Sequence, residues 1–501
     1  MKLRTQLHRV CLSLSIPALC FGCANAKKLV VAPSPLEKYT TLATSMADVP
    51  ADPRTSTFEG ALKIEEVASQ QLIDLVNFDD QAADQQVNDL TSTGGPAEDL
   101  TLAMLEEIAL NNNPSIQQLS ASASKAVAIR DQVGIKPNPT VGYAASQLAD
   151  QGTDQHVFFM EQEFVRGNKL ALNWSVMNQA AHAQLWEVEA QRMRVLTDIR
   201  TRFNEVVAAQ RKLEATEKFV EIAEQGVEVA KRRQSAGETS QVEVLQAQIQ
   251  FNEIELAIQQ IKANYNGSWK ELVAMAGVPS MQPRRVSEEF EQTHDHYEWE
   301  ETYSSLLGSS PELAAARTRV AEAQALLCRQ EAQPISNIVV QLGAGYDNST
   351  NNGMLNLQFG APIPVFNDNA GNISAAHAEY LRAAHDVKRV ELSLKSRLAK
   401  VASEYEASHA AVDKFHNKIL PDAEEMLSLS EQAYSAGELD FLQVLIIRKT
   451  FYDSKIRFIQ AENDLAQAEA KIKGLLLTGG LNVMNEFDGD ASLREQSFSG
   501  Q

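Results

Sequence analysis

A four-residue run occurs twice in this chain, and it limits the possible folds more than any other feature. Ser235-Ala236-Gly237-Glu238 recurs as Ser435-Ala436-Gly437-Glu438, 200 positions later. Val244-Leu245 and Val444-Leu445 keep the same offset. So long a period marks a duplicated half, because solenoid units repeat every ~20–50 residues. Each copy follows a very long helical pattern and precedes a shorter one. Glycine at such a junction supplies the positive φ of a sharp reversal, so each run reads as the tip of a helical hairpin.

The rest of the chain falls into order around these tips. Residues 100–279 form the first half. Leu102, Leu105, Ile108 and Ala109 recur at helical spacing, Asn113-Pro114 interrupts, and the pattern resumes from Ser115 to Ile135. Pro137-Asn138-Pro139 ends it, since a residue before proline avoids the helical region. Strands are expected at 141–148 and 156–164, around Asp150-Gln151-Gly152. A long helix follows from about Lys169 to Arg233, with the tip at 235–240 and a return helix from Val242 to Ala276. Residues 310–478 repeat this order. Ser310-Pro311 answers Asn113-Pro114, and Pro334 answers Pro137, both at an offset of 197. Strands are expected at 337–346 and 354–361, a long helix from Ala370 to Tyr434, a tip at 435–440 and a return helix from Phe441 to Leu477. Pro421 is expected to kink or divide the second long helix near its end. Residues 280–309 read as a polar linker and 479–501 as a polar tail.

The second strand pair alternates cleanly. Ile338, Val340, Leu342, Ala344 and Tyr346 share one face, and Leu355, Leu357 and Phe359 oppose Asn356, Gln358 and Gly360. Alternation over about ten residues fits a transmembrane strand with a lipid face and a wet face, or else an ordinary half-buried hairpin. Four strands are too few to close a barrel. The apolar stripes of the long helices need partners as well. Both needs are met if several chains pool strands into one barrel and helices into one tube. Three chains give twelve strands; a dimer meets the same arithmetic.

Composition narrows the function. The net charge is −21, whereas nucleic-acid binding needs basic surface. Only 6% of residues are aromatic, and Ala, Gln, Glu and Leu dominate the long segments, as in extended packed helices. Residues 1–26 read as an export signal: Lys2, Arg4 and Arg9 precede an apolar run from Val10 to Phe21 that is too short to span a bilayer. Two cleavage sites compete. Ala24-Asn25-Ala26 suits ordinary signal peptidase, whereas Gly22-Cys23 resembles an imperfect bacterial lipobox with Cys23 as the lipidated residue. Residues 27–99 form an acidic extension, broken by prolines, that is expected to be partly disordered. Removal of the signal leaves Cys328 with at most one companion, too few for a disulfide framework or a cysteine metal site.

Several segments carry a resemblance to the TolC-type outer-membrane efflux proteins, nearest to the outer-membrane factors of cobalt–zinc–cadmium cation exporters. They are Ala109-Leu110-Asn111 with Asn113-Pro114; Pro137-Asn138-Pro139; Gly167-Asn168-Lys169; Pro364-Val365-Phe366-Asn367-Asp368-Asn369-Ala370-Gly371; Leu420-Pro421; and Tyr434 through Glu438. The resemblance runs from about Leu100 to Leu477. It implies a mainly α protein with a small β part. Duplicated helical hairpins would form a periplasmic tunnel, and four strands per chain would enter a trimeric, twelve-stranded transmembrane β-barrel in the outer membrane. It further implies a homotrimer working with a periplasmic adaptor and an inner-membrane pump, the RND type being the candidate. Cargo, with heavy-metal cations as the candidate, would pass by diffusion, without catalysis or a cofactor.

The tips are then the expected docking residues: Gly237, Glu238, Thr239 and Ser240, with Gly437, Glu438, Leu439 and Asp440. Helix capping is the plainer reading of the same residues. Family members often narrow the periplasmic end with carboxylates just beyond the second tip. Here Gln443 and Ile446 stand where acids are expected, while Glu243 holds the equivalent place in the first half. Glu243, Gln443 and Asp440 are the candidate constriction, and acidic rings there would favour cations. His294-Asp295-His296 with Glu298 is the one compact metal-like cluster, and it reads first as a solvated linker. No phosphate loop or serine elbow is present. A periplasmic adaptor and a poreless coiled-coil scaffold are the competing classes; the strand pairs count against both.

Overall fold

The computed structural model describes residues 99–148, 152–287 and 297–482. The signal segment with Cys23, the extension to residue 98, His294 to His296 and the tail beyond Asn482 lie outside them.

Two copies of one unit follow each other. In the first, α1 (Leu102–Asn112) and α2 (Pro114–Val133) lead into strands β1 (Thr140–Ser146) and β2 (Gln155–Phe164), then α3 (Lys169–Ser235) and α4 (Gln241–Met275). In the second, α5 (Trp299–Ser309) and α6 (Pro311–Ala332) lead into β3 (Ile338–Asp347) and β4 (Asn352–Gly360). Helix α7 (Ala370–Lys414), a π-helical turn (Phe415–Ile419), α8 (Leu420–Ser435) and α9 (Phe441–Lys473) complete it. Helix α5 corrects the linker reading of 280–309: Leu306 is buried with Leu398, Val401 and Leu465, making α5 the counterpart of α1.

Local chemistry explains the boundaries. Asn113 Oδ1 accepts the Ser115 N–H at 3.0 Å, and Ser310 Oγ accepts that of Leu313 at 3.4 Å; a proline then fills the first helical position in both halves, where its missing N–H is harmless. Both long helices start after an asparagine in the left-handed region, Asn168 at φ 56° and Asn369 at φ 63°, a conformation asparagine tolerates better than most residues. The 67 residues of α3 span about 100 Å at 1.5 Å each. Gly226 lies within α3, where it weakens the helix but admits a neighbour. An added Cβ would stand 3.1 Å from Leu445 and 3.5 Å from Phe441.

The helices form one layer. Near the sheet they lie side by side in the order α2, α3, α6, α7; toward the tips the order is α4, α3, α9, and then α7 with α8. The sheet is antiparallel in the order β1-β2-β3-β4, so each strand continues the helix beneath it. Helix α4 ends where α2 begins, joined by Asn113 Nδ2 donating to Met275 O at 2.7 Å. The largest cores sit at this mid-height. Leu105 and Ile108 of α1 meet Ile199, Phe203, Trp269 and Leu272, and α5 fills the matching place in the second half. Leu476 and Leu477 close the belt. There Asp198 accepts the N–H groups of Gly479 and Gly480, at 2.9 and 2.7 Å, holding the C-terminal strap to α3.

Candidate functional site

Two regions can carry function: the sheet with its two faces, and the paired tips at the far end.

Residues paired across an antiparallel sheet point to the same side. The register therefore sorts the strands into faces. Val141 and Tyr143 pair with Met160 and Phe158; these pair with Leu342 and Ala344, and those with Leu357 and Leu355. Phe359 joins through Val340. This apolar face is bare: Val141 is 74% exposed and Leu355 73%. The opposite face carries Glu161, Glu163, Gln341, Asn356, Gln358 and Asp347. No strand contains lysine or arginine. The expected apolar and polar faces are both present, and among the described residues edge strands β1 and β4 have no further partner. Among the described residues no helix is long and apolar enough to cross a membrane.

Just below the sheet lies a buried polar cluster that periodicity does not reveal. Asn337 donates to Glu163 Oε1 at 2.7 Å, and its own Oδ1 accepts from Lys169 Nζ at 3.0 Å. Arg329 is 1% exposed, donates to Asn173 and reaches Gln333 Oε1 at 2.8 Å. Burial pulls the Arg329 pKa down to about 10. Burial likewise lowers that of Lys169, helped by the charge of Arg329 and opposed by Glu163.

At the tips the two glycines do what the sequence suggests. Gly237 has φ 78° and Gly437 φ 76°. Glu238 N–H reaches Arg233 O at 2.9 Å and Gly237 N–H reaches Gln234 O at 2.9 Å, a Schellman closure. Glu438 and Gly437 repeat it on Ala433 O and Tyr434 O, at 2.8 and 3.0 Å. Ser240 and Asp440 stand at the N-caps of α4 and α9, yet neither side chain makes a cap hydrogen bond. The capping reading thus holds for the glycine backbones but not for these side chains. Glu238 lies 3.5 Å from Arg233, and Thr239 and Leu439 are half-buried. Of the candidate constriction, Glu243 is half-buried in the first turn of α4, while Gln443 and Asp440 are exposed. The tips are brought together by a cluster that sequence reading missed. Phe441 and Leu445 of α9 bury against Val227 and Ala230 of α3 and Ala247 of α4. The signal for it was Gly226. No His, Cys, Asp and Glu grouping among the described residues is suited to a metal ion.

A four-stranded sheet, bare and apolar on one side and polar on the other, is thus mounted on paired helical hairpins. The sequence matches the outer membrane efflux protein family over residues 105–278 and 302–476, and the chain belongs to that family. It is 25% identical over 274 residues to the cobalt-zinc-cadmium resistance protein CzcC of Cupriavidus metallidurans, covering 55% of this chain and 65% of that protein. The chain thus spans slightly under two thirds of that relative. Among solved structures, CusC aligns with a TM-score of 0.64 at 14% identity, covering 75% of this chain and 92% of the other. VceC of Vibrio cholerae aligns at 0.61 and 19%, covering 75% and 96%. The Campylobacter jejuni CmeC channel aligns at 0.64 and 13%, covering 79% and 89%. These likenesses are of fold.

Proposed function

We propose that three copies close a twelve-stranded barrel through the outer membrane and continue it as a helical tunnel into the periplasm. The complex is the passive exit duct of a tripartite efflux system. The observation that carries this reading is the sheet: among the described residues, one face has no cover and both edges are open. A sheet edge in hydrocarbon must be paired, and pairing β4 of each copy with β1 of the next removes every edge. The tips Gly237 to Ser240 and Gly437 to Asp440 then meet the periplasmic adaptor, with an inner-membrane pump of the RND type beyond it.

Heavy-metal cations are the proposed cargo. The likeness to a cobalt-zinc-cadmium resistance protein supports this. So does the charge pattern, because Glu161, Glu163 and Asp347 lie on the wet face and no lysine or arginine stands on any strand. Glu243, Gln443 and Asp440 are the proposed narrowing at the periplasmic mouth. The test combines outer-membrane fractionation, planar-bilayer conductance and metal sensitivity of a deletion strain. A heat-resistant trimer that conducts, with loss of zinc and cadmium tolerance on deletion, is expected. A soluble monomer that never conducts would end the proposal.

A further inference from the structure

The loop between β4 and α7 exposes its apolar side chains to an unusual degree. Ile363 and Val365 are largely exposed, and Phe366 is completely so. Yet the loop is held on one flank. Ser336 Oγ donates to Pro362 O, and Asn369 Nδ2 donates to Gln330 O at 2.8 Å. Residues 361–368 are nonetheless all exposed.

The chain contains a template for what covers such a place. At the equivalent joint in the first half, β2 ends beside β3 and the loop after β2 meets the segment before β3. Ile335 lies against Gly167, 3.0 Å from where a Cβ would stand, and Asn337 Oδ1 accepts the Arg166 N–H at 3.2 Å. The segment before β1 is the counterpart of the one before β3, and it too has an uncovered isoleucine, Ile135, 56% exposed. Among the described residues nothing brings Ile135 to the loop after β4, because β1 and β4 are opposite edges of the sheet.

We infer that Ile363, Val365 and Phe366 of one copy seat on the Ile135–Pro139 segment of the next copy, at the place between chains that corresponds to the β2–β3 joint found within one. The inference rests on the proposed ring of copies and adds to it the surface that joins them at the membrane's inner boundary. Burying three large apolar side chains at each joint strengthens the ring where the barrel passes into the tunnel.

The experiment places Ile135→Cys on one copy and Phe366→Cys on another, co-expressed in outer membranes and treated with a short bismaleimide, the unsubstituted chain being the control. Cross-linked dimer only when both substitutions are present, and a lowered dissociation temperature of the trimer in detergent for Phe366→Ser, are expected. The indole introduced by Phe366→Trp should resist quenching by brominated phospholipid. A heat-resistant trimer without the cross-link, in which that indole is strongly quenched, would overturn this contact and assign the loop to lipid, leaving the ring intact. Absence of any trimer would overturn the ring as well.

Discussion

Placing an arginine at Leu342 tests the assignment of faces on which the channel reading depends. Leu342 is at mid-strand, between Met160 and Leu357, on the bare apolar face. Its neighbour in sequence, Gln341, points to the other side, where its amide donates to Glu161 Oε2 at 3.3 Å. An arginine facing the middle of a bilayer costs about 2–4 kcal/mol in a membrane barrel, less near the interfaces. Leu342→Arg should therefore lower the equilibrium constant for folding into lipid vesicles by roughly 30- to 1,000-fold, at about 1.4 kcal/mol per factor of ten. Gln341→Arg adds the same charge one residue away but keeps it in water beside the Glu161 and Glu163 carboxylates. It should fold within about 0.5 kcal/mol of the parent and reduce cation preference in reversal-potential measurements. Urea titration of folding into vesicles, followed by loss of the heat-resistant form, reads both. Equal penalties for the two variants, or a larger one for Gln341→Arg, would refute the lipid and wet assignment.

Three further outcomes follow from named contacts. Asp198→Ala should release the C-terminal strap at a cost on the order of 2 kcal/mol, since two backbone donors lose their acceptor. Burial raises the Asp198 pKa above 3.8, outweighing the backbone bonds and Arg202. The folded chain therefore holds this proton more tightly than the unfolded one, and this group's contribution to stability falls as pH rises between the two pKa values. Asp198→Asn should accordingly melt no lower than the parent at neutral pH, and mild acid should not loosen the strap; a marked loss for the Asn variant would contradict this. Phe441→Ala, which empties the cluster shared by the two hairpins, should cost about 3–5 kcal/mol. Faster amide exchange should appear around both tips but not in the strands; unchanged exchange at the first tip would show that the hairpins are not coupled there. Gly437→Ala meets no atom within 4 Å, so its penalty is backbone strain alone at φ 76°, roughly 1–2 kcal/mol. A variant as stable as the parent would show that the Schellman closure is not what shapes the tip.

What was legible in the sequence is what solvent dictates. An apolar and a polar side on one strand force a period of two, so Ile338 to Tyr346 announced the strand and its two faces. The long helices were legible from an uninterrupted pattern, and the tips from glycine between two such patterns. Helix α5 escaped because its apolar positions are few and its charged first turn, Glu300 and Glu301, resembles a linker. The Arg329 cluster escaped for a different reason. Its members, Glu163, Lys169, Asn173, Arg329 and Asn337, come from β2, α3, α6 and the approach to β3, and only the sheet's register brings them together. Phe441 against Gly226 joins residues 215 positions apart, a distance at which no local period carries information.

The two halves part company at Pro421. Proline has no N–H to give the helical ladder, and its ring collides with the carbonyl four residues earlier. In the second half the ladder is widened just before that point. The Leu420 N–H reaches back five residues to Phe415 O across the π turn Phe415–Ile419, and α8 starts afresh with Pro421 in its first turn, where no donor is missed. At the matching height, α3 runs through Val220 and Glu221 as unbroken α-helix. The duplicated hairpins therefore reach their tips differently. The first is a single rod from Lys169 to Ser235. The second is α-helical to Lys414, keeps a helical backbone through the π turn and continues for 16 residues to Ser435, with Gly437 and Glu438 beyond its end. Arg448 fastens that segment to the return helix α9, bonding Glu431 Oε1 through Nη2 at 2.8 Å and Nε at 3.1 Å. The second tip is thus reached through a π turn and tied by Arg448 to α9, whereas the first is reached along α3 with no such turn.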